Sequence, residues 1–199
     1  MTFRVAVIGA GRMGQGIALA LSRSGADVSL LGRAAKAVPA PLAVRVDDWG
    51  EACRAAEVVL IATPDAAIPL VAARLLGEHC LSPRVSVLHL SGLLDRGALA
   101  ALADTGAGLG SFHPLQTVAD PETVGERFRG AFAGVEGDAG ALAAVDPPRE
   151  YTGDRECVPD DLKAAMEAYR VEHGPLRFDP EARNLRHTHV SDAPEGGAW

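Results

Sequence analysis

The chain reads as a doubly wound, mostly parallel α/β sheet followed by a short, partly irregular tail that holds one helix. Three observations predict this. Short apolar runs alternate repeatedly with helix-patterned segments, and the joins between them are short. The runs are apolar throughout rather than at every second residue, as in VAVI and VVLI, which marks strands covered on both faces. A glycine-rich turn, VIGAGRMG, stands between the first run and the first helical segment.

The elements follow in order. FRVAVIG (3–9) is the first strand, and GRMGQGIALALSRSG (11–25) a helix with Met13, Ile17 and Leu21 on one face, stopped by Gly25. DVSLLG (27–32) is the second strand and LAVRV (42–46) a short third. DDWGEACRAA (47–56) opens on Asp47 and Asp48, both good helix caps. EVVLIATP (57–64) is a fourth strand cut by Pro64, and DAAIPLVAARLLG (65–77) a helix with Asp65 as its N-cap. RVSVLHLSG (84–92) is the fifth strand, with His89 inside it as a core residue, and LLDRGALAALADTG (93–106) the helix after it. GAGLGSFHP (106–114) is the sixth strand, and GAFAGVEG (130–137) a seventh at the sheet edge.

Residues 146–199 behave differently from residues 1–145, and the domain boundary falls there. The tail carries 12 acids against 7 bases, a net of −5, whereas residues 1–145 carry 14 against 12, a net of −2. Six of the 13 prolines lie in the tail. Its one helix is PDDLKAAMEAYRVEHG, with Leu162, Ala165, Met166 and Tyr169 on one face. NLRHTHVSDAPEGGAW shows no periodicity and reads as loose chain.

Composition excludes several function classes. A net charge of −7 argues against nucleic acid and against an anionic membrane as partner. The amino terminus has Arg4 and glycines where a secretory signal needs an unbroken apolar stretch, and no apolar run is long enough to span a bilayer. Cys53, Cys80 and Cys157 are odd in number and far apart, which fits reduced thiols in a cytoplasmic protein. His187 and His189 form a lone pair in loose chain without a third ligand, so no metal site is expected.

The glycine turn carries the first chemistry. Gly9-x-Gly11-x-x-Gly14 follows a buried strand and opens a helix, the context in which the spacing means dinucleotide binding. Gly9 permits the tight turn, Gly11 lets the backbone approach a pyrophosphate, and Gly14 lets helix and strand pack closely. Arg12 and Met13 complete the loop, and the helix N-terminus offers free N–H groups to phosphate. The second strand ends VSLLGRAAK, with no acid for ribose hydroxyls but with Arg33 and, one turn on, Lys36. A guanidinium grips a ribose 2′-phosphate and stacks on adenine, so the cofactor expected is NADP rather than NAD. Ala62, Thr63 and Pro64 end the fourth strand on the carboxyl edge and would line the ribose and nicotinamide side.

With VIGAGRMG, IATPDAAI, LHLSG and GSFHPLQTVADP together, the chain resembles the Rossmann half of the NADP-dependent reductase superfamily over roughly residues 3–138. That group includes pyrroline-5-carboxylate reductase, ketopantoate reductase, prephenate dehydrogenase and the deazaflavin-dependent NADP oxidoreductases. The nearest likeness is to a little-characterised bacterial branch with the same glycine loop, ATPD-like turn, H-x-SG strand end and SFHPLQT segment. The resemblance implies that His113, Ser91 and Gln116 converge beside the nicotinamide, where a carbonyl or imine would sit. There they would polarise C=O or C=N, or supply its proton during hydride transfer. For His113 the alternative is a ring bonded to backbone, and for Ser91 a Ser-Gly turn.

Members of that group continue into an all-helical second domain that closes the cleft and often forms dimers. This chain turns instead to THVSDAPEGGAW, so the expectation is a truncated or divergent second domain and impaired activity. Lys163 is the sole lysine on hand to substitute for lost groups, and a solvated face suits it better. The chain is then a monomer or a homodimer through the sheet edge or tail helix. The expected function is an NADP(H)-dependent oxidoreductase acting on a small carbonyl or imine molecule. The alternative is a non-catalytic NADP(H)-binding module or sensor.

Overall fold

The computed structural model describes residues 2–46, 48–128, 131 and 133–145, within one compact unit, Met1–Pro147. The expectations for Asp47, Cys157, the tail helix with Lys163, and the His187–His189 pair lie outside these residues.

The described strands are β1 (Arg4–Ile8), β2 (Asp27–Leu31), β3 (Val44–Arg45), β4 (Val58–Ile61), β5 (Ser86–His89), β6 (Gly108–Pro114) and β7 (Ala133–Gly137). They form one sheet in the order β3-β2-β1-β4-β5-β6-β7. Every neighbouring pair is parallel except β6–β7, which is antiparallel. The chain therefore winds one way from β1 to β3 and the other way from β4 onward, as expected of a doubly wound sheet.

The unbroken apolar runs are explained by two separate core layers. Along β1, Ala6 and Ile8 face one side while Val5 and Val7 face the other, and β4 splits Val59 and Ile61 from Val58 and Leu60 in the same way. The first layer is closed by α2 (Trp49–Ala55), α3 (Ile68–Gly77) and a 3₁₀ run, Arg96–Thr105. The second is closed by α1 (Arg12–Arg23) and by α5 (Ala139–Val145), with α4 (Val124–Arg127) packed on α1. Both faces being covered, neither face of a central strand needs a polar side chain.

Four details differ from the sequence reading. The segment after β5 is a 3₁₀ run rather than an α-helix. Its two fully buried leucines, Leu99 and Leu102, are three apart, so a three-residue turn eclipses them and seats both on the sheet. Asp95 opens that run by accepting from the Gly97 amide at 2.9 Å, and Gly106 closes it in the left-handed region. Asp65 does not cap α3: Pro64 sits in the extended region, Asp65–Ala67 makes a 3₁₀ turn, and α3 starts only at Ile68 without a side-chain cap. Asp48 does occupy the N-cap position of α2, but its carboxylate pairs with Arg45 instead of an amide. Finally, α4 and α5 were not anticipated, and α5 is the longer of the two. Asp138 nucleates it by accepting from the Ala141 amide at 3.0 Å while its other oxygen takes the Leu109 amide of β6 at 2.8 Å.

His89 is fully buried, with Nε2 3.0 Å from the Asp95 carbonyl, in keeping with a core role. Among the described residues no helix is long and apolar enough to cross a membrane, and no group of three or more His, Cys, Asp or Glu is placed to hold a metal ion.

Candidate cofactor and reaction site

Because β1, β4, β5 and β6 run parallel, their carboxyl ends share one edge of the sheet. All the candidate residues leave from that edge or from the loops beyond it.

The β1–α1 turn is built by sterics. Gly9 has φ +123°, a conformation that disfavours any side chain, and an added Cβ would lie 2.5 Å from the Ala62 carbonyl oxygen. A Cβ on Gly14 would collide with the Gly9 carbonyl oxygen and stand 3.1 Å from Ala62 Cβ. Gly9, Gly14 and Ala62 thus form a contact between turn, helix and β4 in which each residue must be small. Ala62 serves that contact. Gly11 is different: a Cβ there meets nothing within 4 Å. It is the exposed N-cap of α1, with extended backbone and no side-chain cap, and the first turn holds no acid. The amides of Arg12, Met13 and Gly14 precede the first intrahelical bond, from the Gln15 amide to the Gly11 carbonyl at 2.9 Å, so they remain as donors at the positive end of the helix dipole.

Two side chains hold the loop in shape. The Gln15 amide donates to the Ala10 carbonyl at 2.8 Å, and the Lys36 ammonium donates to the same oxygen at 3.2 Å. Lys36 therefore bridges from the exit of β2 to the glycine turn. Gln15 was not singled out from sequence; the signal was a long polar side chain inside the GQGIALAL stretch, where α1 is buried. Gly32 is buried at the end of β2, while Arg33 and Lys36 project as exposed cations from the following loop, with no carboxylate on residues 32–37. At the exit of β4, Thr63 Oγ1 is buried and has no hydrogen-bond partner among the described residues, and Pro64 is exposed.

These features fit a dinucleotide. The open space over Gly11, the uncapped amides behind it and the two cations beyond β2 each offer something such a ligand would use.

At the exits of β5 and β6 the polar groups have definite partners. Ser91 is buried, and its Oγ accepts from the Leu93 and Leu94 amides, both at 3.1 Å, so it shapes the turn after β5. His113 is half-buried near the end of β6, paired with Gly134 of β7, and its Nδ1 lies 3.2 Å from the Leu90 carbonyl. Its ring rests on Gly92. The strand end at 90–92 and the histidine of β6 are thus brought together. Gln116 is half-buried two residues past the strand, and its backbone amide donates to the Pro114 carbonyl at 2.8 Å.

Residues 4–87 match the family model described as NADP oxidoreductase, coenzyme F420-dependent, which is fewer than half of the 199 residues. The fold is Rossmann-like. Among solved structures, the chain is similar to a 3-hydroxyisobutyrate dehydrogenase of Mycobacterium tuberculosis, at 20% identity and a TM-score of 0.53, covering 74% of this chain and 50% of that one. It is similar to a pyrroline-5-carboxylate reductase of Coxiella burnetii at 16% identity and a TM-score of 0.50, over 84% of this chain and 55% of that one. A pyrroline carboxylate reductase of Plasmodium falciparum, solved with NADP bound, matches at 12% identity and a TM-score of 0.54, over 85% and 68% respectively. The chain spans about half the length of the first of these. No curated protein matches its sequence.

Proposed function

We propose that this domain binds NADP(H) across the glycine turn and serves hydride transfer to or from a small carbonyl or imine compound. The observation that carries the reading is the contrast within the turn: Gly9 and Gly14 are closed in by protein, while Gly11 opens on space in front of uncapped helix amides. The family match to NADP oxidoreductases over residues 4–87 supports the same cofactor class. When bound, the nicotinamide supplies or accepts hydride.

The chain's own residues do the rest. The amides of Arg12, Met13 and Gly14 face the pyrophosphate, and Arg33 with Lys36 meets the 2′-phosphate as a pair of cations. Ala62, Thr63 and Pro64 border the ribose and nicotinamide side. His113 hydrogen-bonds the substrate heteroatom or delivers its proton, with the Gln116 amide as a second contact. Ser91 holds the turn after β5 and keeps its own O–H available to donate.

A second reading, a binding module or sensor without turnover, draws on Ser91, whose oxygen is already engaged by two amides of its own turn. Titration with NADPH and then NADH, followed by nicotinamide fluorescence, tests the cofactor half. Preference for NADPH that is lost in Arg33→Ala supports it, and a folded chain that binds neither defeats it. Consumption of NADPH with a panel of carbonyl and imine compounds then separates enzyme from binding module.

A further inference from the structure

We propose that Gly92 is a positioning residue: it seats the His113 imidazole so that Nδ1 is held by the Leu90 carbonyl and Nε2 is the nitrogen presented to substrate. The proposal rests on the reading of His113 as the proton-handling group, and adds which atom does the work and what holds it there.

The geometry around Gly92 is specific. A Cβ at this position would lie 2.5 Å from His113 Nε2 and 2.7 Å from both Cδ2 and Cε1. Such near-equal distances place that point over the face of the ring, above Nε2. Were it in the ring plane beyond Nε2, the two carbons would stand much farther off than the nitrogen. The imidazole therefore lies flat on the backbone of Gly92, in space that the next larger side chain would fill. The in-plane direction of the Nε2 lone pair is left unobstructed by Gly92.

The other ring nitrogen is committed. Nδ1 stands 3.2 Å from the Leu90 carbonyl, which can only accept, so Nδ1 carries a proton in the neutral ring as well as in the charged one. Nε2 has no hydrogen-bond partner among the described residues, yet it is not among the buried polar atoms left without one. His89 shows the opposite arrangement, with Nε2 on the Asp95 carbonyl and Nδ1 sealed in the core without a partner. Of the two, only His113 offers a nitrogen to an incoming group.

The consequence for proton handling is definite. A charged ring gives the Nε2 proton to the heteroatom of the substrate and keeps the Nδ1 proton on Leu90, ending as a neutral ring with an Nε2 lone pair. Solvent returns the proton. In the reverse direction the same lone pair takes a hydroxyl or amine proton. Leu90 and Gly92 thereby do for His113 what an orienting third group does in other acid–base sites.

The test is the ring's tautomer, read from long-range ¹H–¹⁵N correlation spectra of the whole chain at a pH where the ring is neutral, with His113 assigned by its loss in His113→Gln. The wild type is expected in the Nδ1–H form, the reverse of what free histidine prefers. Gly92→Ala forces the ring off its seat; because the clash is with a side chain that can swing away, the fold is kept. That variant is expected to lose the Nδ1–H form while NADPH affinity stays within about two-fold of wild type, since the Cβ added at Gly92 meets His113 first. In a His113→Ala background the same Gly92→Ala change is expected to leave thermal stability unaltered. A wild-type ring in the Nε2–H form, or a Gly92→Ala ring that keeps Nδ1–H, overturns the proposal. The wild-type spectrum alone decides it if Gly92→Ala fails to fold. Failure to bind NADPH with an Nδ1–H ring would instead remove the proposed function and leave the seat in place.

Discussion

Alanine at Gly11 and alanine at Gly14 exert opposite effects, because only one of the two glycines faces empty space. At Gly11 the backbone is at φ −73° and ψ 178°, open to any residue, and the new Cβ meets nothing within 4 Å. Alanine caps a helix less well than glycine, which costs about 0.5–1 kcal/mol, and the stiffer unfolded chain offsets about 0.4–1 kcal/mol of that. On the proposed binding mode, the methyl group would stand between the pyrophosphate and the helix amides. Losing one hydrogen bond to a charged group costs about 1.5–3 kcal/mol, or roughly 10- to 150-fold in affinity. At Gly14 the Cβ runs into the Gly9 carbonyl oxygen and backbone must move, which costs about 1–3 kcal/mol of stability. Thermal melting of each variant with and without NADPH gives both numbers. Gly11→Ala should melt within about 2 °C of wild type and lose the shift caused by NADPH, whereas Gly14→Ala should melt several degrees lower without ligand. A Gly11→Ala chain that binds NADPH as wild type does, or that is as destabilised as Gly14→Ala, would refute the assignment of the open position.

Lys36→Ala removes a cation and one of the two donors to the Ala10 carbonyl. NADPH affinity should fall about 10-fold with NADH affinity little changed, and the difference should shrink at high salt; equal losses for both cofactors would assign Lys36 to the loop alone. In a chain that turns over, His113→Ala should lower kcat about 10²- to 10⁴-fold while NADPH affinity is held, and unchanged turnover would remove His113 from the chemistry. Burial pushes the Cys53 thiol up to about 12 from an ordinary value of 9.0, with neighbouring Cys80 adding to the rise, and burial raises Cys80 as well. A thiol kept neutral in the fold but free to ionise when unfolded stabilises fully below pH 9, and that contribution drains away as pH climbs from 9 toward 12. Urea unfolding with reductant present, from pH 8 to 11, should show the decline, and Cys53→Ala should flatten it.

Much of the glycine turn was legible because its sequence pattern is local, although its contacts with Ala62 and Lys36 are not. A buried strand, a glycine spacing and a helix start lie within residues 4–23, and the pattern needs no distant partner to be read. The 3₁₀ run was misread because Leu99 and Leu102 fit an α-helix and a three-residue turn equally well, and only packing on the sheet chooses. The caps at Asp48 and Asp65 failed for another reason: a carboxylate within reach of Arg45, or displaced by a proline-led turn, has better or different partners than the amides of its own helix. The helix α5 was silent in sequence because GDAGALAAV offers little periodic contrast. It packs through smallness, with Ala141 close to Gly108, Gly110 and Gly137. At the reaction edge the motifs SG and FHP were visible, but the seating of an imidazole on Gly92 joins residues about twenty apart and belongs to the fold alone.

The single antiparallel strand has a bearing on timing. Without β7, the strand bearing His113 would be the margin of the sheet, and margins fray on a fast timescale at almost no free-energy cost. With β7 in place from Ala133 to Gly137, the pairing runs from Gly110 to Pro114 and includes His113 opposite Gly134. The histidine is thus mounted on an interior strand whose amides exchange with solvent only through larger openings.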